Sequence, residues 1–397
     1  MSGINHIGIF SYFDVSHLVD FFPPEVRDEL LAMPHRFAAS AVDNLILGFH
    51  RRGIRLTLFT VIWQISDCRV YHGDNITLCV SPLRHRAKLR AVDFYRKEVR
   101  NMRRQFFELP DPPQMVEAHW TYEFALAITR IPLPKFIFYR DWPPTIFGFY
   151  RNFYWFCRYL MAQKAMRIKN ACYVANSTYM QKLVEDKFGK TIPVLPNPLD
   201  DDFFTSPRTG RGDNETLLFI GNSGRRKNLE TLLEAMAGLR DKRPGISLRV
   251  AGIAPEEPEA VQWKNRGLAA NVEFLGQIPR SKIVEELDRA AILVHPALEE
   301  TFGNVLLEAM ARGLPTVAGE VAGAVPEVLD HGKAGILCDV TKSESIINAV
   351  NRLLDSEECY AGFSVAGFNF SHDNFSLSRV IDRHLALYER YMYQPSK

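Results

Sequence analysis

A chain of 397 residues with 47% hydrophobic content has room for about two globular domains and is too apolar for a disordered polymer. No run approaches the roughly 18 consecutive apolar residues a membrane span needs, and no basic region precedes the first apolar run, where Asp14 follows early, so a secretory signal is not expected. The net charge of +2 conceals an asymmetry: residues 1–200 hold 26 Lys or Arg against 18 Asp or Glu, a balance of +8 that leaves −6 for residues 201–397. A basic first half favours an anionic partner, such as a lipid diphosphate or an anionic membrane surface contacted peripherally. Nucleic acid is not expected, because no recognition motif accompanies the charge. The six cysteines show no metal-ligand spacing and suit reduced thiols in a cytoplasm.

Taken in chain order, short apolar runs alternate with helical patterns. Residues 7–10, 56–61, 77–80, 136–139, 172–175 and 194–195 read as strands of a first α/β layer. After a Pro-, Asp- and Gly-rich stretch at 196–212, residues 217–221, 247–252, 272–275, 291–295 and 315–318 read as a second set. Alternation of this kind predicts a parallel sheet covered by helices on both faces, built twice. The expected division is residues 1–198, residues 199–374, and a last helix over 375–393 within a tail ending at 397.

Three constellations carry chemistry. The first is the stretch 295–308, in which Glu300 and Glu308 flank a Phe302-Gly303 turn between the strand at 291–294 and a helix stopped by Gly313 and Pro315. Thr301 is the expected N-cap. A glycine turn opening a helix presents N–H groups and a positive dipole end to phosphate or sugar oxygens, and carboxylates there accept hydrogen bonds from hydroxyls. Taken alone, both glutamates also read as solvated helix-end charges. The second is Gly221-Asn222-Ser223-Gly224-Arg225-Arg226-Lys227-Asn228, a glycine loop and basic run between a strand and a helix beginning at Leu229. Cations at a helix start oppose its dipole, so an anion there explains them. An exposed basic turn is the plainer reading.

The third constellation lies in the first half. After residues 7–10 the chain continues Ser11-Tyr12-Phe13-Asp14 into a long insertion, and the next helix begins near residues 38–40. Residues 116–120 carry His119, which either lines a cleft or sits in the core. Residues 138–142 carry Arg140 and Asp141, read either as a sugar-recognition pair or as a surface ion pair. Asp200-Asp201-Asp202 follows Pro196-Asn197-Pro198 and reads as linker rather than metal site. Between residues 147 and 169 aromatics interleave with cations; such a helix either lies in a membrane interface or packs its aromatic face on the sheet and leaves its cations in water.

From Val294 to Asp339 these residues, with Pro296, Glu300 to Glu308, Glu308 to Pro315, Gly323 to Glu327 and Gly332 to Gly335, resemble the retaining glycosyltransferases of family 4, which have the GT-B fold. The resemblance implies two Rossmann-like doubly wound parallel-sheet domains facing a cleft, the first binding acceptor and the second binding a nucleotide-sugar, with the last helix crossing back to the first. It implies that Glu308 binds the donor ribose, that Glu300 binds the transferred sugar, and that backbone N–H groups around Phe302, Gly303 and Asn304 also reach the donor. Gly221 and Asn222 stand where the family has a Gly-Arg pair on the diphosphate, and Lys227 falls on its lysine. Asn222 is therefore a departure, leaving Arg226, or secondarily Arg225, to supply the second cation. The absent glycine loop after the first strand, for which Arg36 or Ser40 would substitute, and Arg140 in place of a histidine are the other departures.

The loop at Ile278-Pro279-Arg280 falls where relatives hold the base. Arg280 donates only and cannot accept the N–H groups of guanine, which tilts the reading to a UDP-sugar, with a GDP-sugar second. The resemblance further implies a cytoplasmic, metal-independent hexosyltransferase with no cofactor, catalysed by Glu300, Lys227 and Arg226. It would act on a glycan or lipid-linked acceptor such as a bacterial surface polysaccharide precursor, the leaving phosphate accepting the proton. The alternative is a catalytically impaired glycosyltransferase-like partner subunit.

Overall fold

The computed structural model describes residues 3–33, 40–212 and 214–393. Contacts divide it into two units, one comprising residues up to Pro198 together with those from Leu377 onward, the other Leu199–Ser376.

In the first unit β1 (His6–Phe10), β2 (Arg55–Ile62), β3 (Arg69–His72), β4 (Ile76–Pro82), β5 (Met115–His119), β6 (Lys135–Tyr139) and β7 (Ala171–Ala175) form one sheet in the order β3-β4-β2-β1-β5-β6-β7. All neighbours pair parallel except the edge strand β3, which runs antiparallel to β4. Successive side chains point to opposite faces, and the apolar runs feed two cores accordingly. Leu56 and Leu58 of β2 join one core, and Phe59 and Val61 the other. The helix Leu377–Tyr393 belongs to this unit: Leu377, Val380, Ile381, Leu387 and Tyr388 are buried in the first of those cores. Each is worth of order 1.5–3 kcal/mol in apolar burial. It packs close to the helix Ser40–Arg51, where a Cβ on Gly48 would come within 2.6 Å of Ile381.

In the second unit β8 (Thr216–Ile220), β9 (Ser247–Ala251), β10 (Val272–Gly276), β11 (Ile292–His295), β12 (Thr316–Gly319) and β13 (Ile336–Cys338) form a parallel sheet in the order β10-β9-β8-β11-β12-β13. Leu217 and Phe219 of β8 pack on one face with Leu232, Met236 and Leu353; Leu218 and Ile220 pack on the other with Leu306 and Met310. The strand order reverses between β8 and β11, which pair directly through Leu217 with Ile292 and Leu218 with Leu293.

Several sequence expectations change in detail. Residues 194–195 make only a single bridge, Val194 with Ala175, instead of a strand. The unexpected β3 is polar and half-open because it pairs on one side only, and the unexpected β13 is three residues long. The aromatic run at 147–169 divides into the helices Pro143–Tyr150 and Phe153–Ala165, broken at Arg151, whose φ is +38°, with the Asn152 side chain capping the second. The expectation that its aromatic face packs on the sheet and leaves the cations in water holds only in part: Tyr154 and Trp155 pack against the core with Cys157, Met161, Ala162 and Ala165, but Phe153 and Phe156 stay exposed and Arg158 is buried. None of the six cysteines is in a disulfide, and among the described residues no helix is long and apolar enough to cross a membrane.

Candidate functional site

The carboxyl ends of β8 and β11 flank the point where the second sheet reverses its winding, the place where open α/β sheets leave a crevice for a ligand. The loop after β8 is drawn against the end of β9. Gly221 donates its N–H to the Ala251 carbonyl at 2.9 Å, and Gly252, at φ +102°, has no room for a Cβ, which would stand 2.5 Å from the Gly221 carbonyl oxygen. The Gln277 amide reaches the Gly252 carbonyl at 3.1 Å, bringing in the loop after β10. Asn222 shapes the turn, its side-chain oxygen accepting the Gly224 N–H at 3.0 Å.

The loops after β8 and β11 are then fastened together. Leu298 donates its N–H to the Arg226 carbonyl at 2.8 Å, and the Asn228 amide donates to the carbonyls of Pro296 and Val340 at 3.1 and 2.8 Å. Asn228 holds this position in the left-handed region, at φ +53°. Across that seam two ion pairs form side by side. Arg226 Nη1 lies 3.0 Å from Glu299 Oε2, and Lys227 Nζ pairs with Glu300 Oε1. His295, the last residue of β11, places Nε2 3.3 Å from the same Glu300 oxygen. The Glu300 backbone is gripped from the loop after β12, donating to Ala322 O at 3.3 Å and accepting from Ala324 N at 2.8 Å. Arg225 is exposed, so of the two candidate arginines only Arg226 makes this pairing.

Electrostatics separate the two adjacent carboxylates. Burial would raise Glu300, but Lys227, His295 and Arg226 overcome it and hold its carboxyl well below the usual carboxylate range. Glu299 is pushed upward by burial against the opposing charge of Arg226, and its Oε1 is buried without a hydrogen-bond partner. Burial likewise lowers His295, leaving a neutral imidazole. The sequence reading assigns no role to Glu299 or His295; the signal for Glu299 is that the Glu299-Glu300 doublet offers one carboxylate to each cation of the Arg226-Lys227 doublet.

The helix after β11 spans Asn304–Ala311, and its N-cap is Gly303 at φ +96°, not Thr301. The left-handed turn that reverses the chain at this point suits glycine, and glycine brings no side chain to cap the first-turn N–H groups. Phe302 is buried edge-on against Phe375, ring centroids 5.5 Å apart. Glu308, half-buried one turn into the helix, is raised by burial against the opposing charge of Arg280. Arg280 opens the helix Arg280–Arg289 with its guanidinium 5.4 Å from the Phe203 ring centre. Ile278 is half-buried in the loop before it.

In the first unit His119 and Arg140 belong to a buried network. His119 Nε2 lies 3.0 Å from Glu117 Oε1, and Arg140 donates from Nε and Nη2 to His119 Nδ1 at 3.2 and 3.0 Å and from Nη1 to the Asn197 side chain. Tyr388 and His384 of the last helix complete it: Tyr388 donates to Glu117, and His384 Nδ1 lies 2.9 Å from the Tyr388 hydroxyl. Burial and the Arg140 charge lower His119 to about 4. The surface-pair reading of Arg140 is corrected, since it is buried and directed at His119 and Asn197; Asp141 instead accepts from the Tyr122 hydroxyl at 3.1 Å. Ser40 opens its helix, whereas Arg36 lies outside the described residues. Asp200 caps a short turn by accepting the Asp202 N–H at 3.2 Å, and among the described residues no group of three His, Cys, Asp or Glu could hold a metal ion.

Residues 202–369 match the family model for glycosyl transferases group 1. This span holds Arg226, Lys227, Glu299, Glu300 and Glu308. A GDP-mannose-dependent alpha-(1-6)-phosphatidylinositol monomannoside mannosyltransferase of Mycolicibacterium smegmatis is 30% identical over 218 residues, 50% of this chain and 57% of that protein. The chain spans 57% of that mannosyltransferase and 18% of another matching relative, an exopolysaccharide phosphotransferase of Streptomyces coelicolor. A sucrose-phosphate synthase of Thermosynechococcus elongatus superposes with a TM-score of 0.77 at 17% identity, covering 98% of this chain and 100% of that one. Anabaena HepE, solved in complex with UDP-glucose, gives 0.68 at 18% identity over 96% and 98%. At these identities the likeness is one of fold, two Rossmann-like parallel-sheet domains as in GT-B glycosyltransferases.

Proposed function

We propose that the chain is a glycosyltransferase of family 4 type that moves a sugar from a nucleotide diphosphate to a glycan or lipid-linked acceptor with retention at the anomeric carbon. The observation that carries this reading is the paired Arg226-Glu299 and Lys227-Glu300 seam at the switch point of the second sheet. In the proposed complex the donor diphosphate lies against Arg226, Lys227 and the uncapped helix start after Gly303. Fixed positive groups at the place where leaving-group charge develops lower the barrier without reorganising during the step. Glu300, held ionised, accepts hydrogen bonds from the transferred sugar, and Glu308 does so from the ribose. The leaving phosphate takes the proton of the acceptor, so no side-chain base and no metal is assigned.

A UDP-sugar is the favoured donor because Arg280 offers guanine no acceptor; the UDP-glucose bound by HepE supports it, and the GDP-mannose dependence of the mycobacterial relative keeps a GDP-sugar second. Acceptor binding is assigned to the first unit, with a cytoplasmic location and a role in surface polysaccharide synthesis. The arranged Lys227, Glu300 and Glu308 favour a working enzyme over the impaired-partner alternative.

The test is binding and slow hydrolysis of UDP-, GDP- and dTDP-sugars without added metal, for the native chain, Glu308→Ala and Lys227→Ala. One donor should bind and hydrolyse selectively, and both variants should lose that activity by about 10²-fold or more. Absence of binding to every donor would overturn the proposal.

A further inference from the structure

Glu299 stands where a carboxylate opposes folding. Its side chain is 8% exposed; one oxygen accepts from Arg226 Nη1 at 3.0 Å, and the other, Oε1, is buried with no hydrogen-bond partner. Among the described residues Arg226 is its one ion-pair partner. Taking a carboxylate out of water with part of its acceptor capacity unused is unfavourable, and a well-packed apolar side chain at such a site is often as stable or more so. Stability alone therefore does not account for a glutamate at this position.

Nor is the ion pair needed to join the loops after β8 and β11. The Leu298 N–H already bonds the Arg226 carbonyl at 2.8 Å, and the Asn228 amide bonds the Pro296 carbonyl at 3.1 Å. These bonds use backbone groups and Asn228, so the two loops keep their register without the Glu299 carboxyl. What Glu299 alone fixes is the far end of Arg226. An arginine side chain has many rotamers to lose, and a carboxylate that selects one of them removes that loss from the binding of a ligand. The Arg226 side chain stays 22% exposed, so the guanidinium is held on one side while part of it remains open to solvent.

We propose that Glu299 is a positioning residue, which holds the Arg226 guanidinium in the place where it meets the donor diphosphate. The inference rests on the donor reading above and adds to it how the second cation is aimed. Glu299 acts through Arg226 and touches neither donor nor acceptor.

The experiment is a double-mutant cycle on the full chain, following hydrolysis of UDP-glucose and GDP-mannose without added metal and using whichever the native chain hydrolyses faster. Arg226→Gln, which keeps an N–H for Glu299, should lower kcat/KM by about 10²-fold. Glu299→Ala should lower it by roughly tenfold, and Glu299→Gln, whose amide oxygen still accepts from Arg226, should restore most of that loss. Added to Arg226→Gln, Glu299→Ala should cost nothing further, because the group it positions is already gone. Urea midpoints show that each variant is folded, and that of Glu299→Ala should not fall below the native one. A full rate in Glu299→Ala or in Arg226→Gln overturns the inference. So does the same tenfold loss when Glu299→Ala is added to Arg226→Gln, which would make Glu299 a structural residue independent of the guanidinium. The donor reading itself falls only if Lys227→Ala also keeps full binding and rate, so the two failures are told apart.

Discussion

Glu300 is the residue whose chemistry depends most on its neighbours, because a buried carboxyl without Lys227 would favour its protonated form. In Lys227→Ala the desolvation remains while the largest opposing charge is gone, so the Glu300 carboxyl should titrate at a higher pH. In the proposed complex the ionised Glu300 carboxylate is the stronger acceptor for the sugar hydroxyls, so activity should weaken as pH falls through its pKa. The acidic limb of the kcat/KM profile should therefore move upward in Lys227→Ala, beyond the loss of rate at the pH optimum. An unmoved limb would detach Glu300 from the proposed sugar contact. At this scale the sequence showed Glu300, Lys227 and Arg226 as separate motifs. It did not show that they pair, because 73 positions separate each partner and only the adjacency of β8 and β11 closes that distance.

Elements are where local propensity and packing part company. Most strands of both sheets were legible because parallel strands buried on both faces read as continuous apolar runs, whereas the antiparallel edge strand β3 and the three-residue β13 carry no such run. Strand β5 hides that signal by burying Glu117 and His119, which pair with each other and find their further partners in Arg140, just past β6, and in Tyr388 of the last helix. The glycine at 252 shows a positional demand that no periodicity reveals. Gly252→Ala would force a Cβ toward the Gly221 carbonyl at a backbone angle that L-residues rarely hold, so the loops after β8 and β9 should separate. About 1–3 kcal/mol of destabilisation is expected in urea unfolding, together with a raised KM for the donor. Retention of native stability would show that the two loops are not held by this contact.

For the molecule as a whole, buried imidazoles set the response to acid. His6 and His119 are each lowered to about 4, from 6.5, chiefly by burial, and His295 and His384 are lowered too. Between pH 6.5 and about 4 these groups bind fewer protons folded than unfolded, so unfolding takes up protons and stability falls as pH falls through that window. Each contributes a slope of up to about 1.4 kcal/mol per pH unit. Urea midpoints between pH 7 and 5 should drop, and His6→Gln, whose ring lies 2.8 Å from Thr57 Oγ1, should flatten the curve. A midpoint independent of pH in this range would contradict the burial of these rings as neutral species.

The sequence by itself determined the alternation of strand and helix, the two parallel sheets and the residue types that gather at the end of each strand. Those follow from apolar periodicity and turn chemistry, which act over a few residues. Tertiary structure decided which cation meets which carboxylate, that His119 and Arg140 are tied to Tyr388 in a buried network, and that the helix Phe153–Ala165 buries Arg158 and Met161 and leaves Phe153 and Phe156 exposed. Such outcomes depend on distance and desolvation between segments remote in the chain, and a linear pattern records neither.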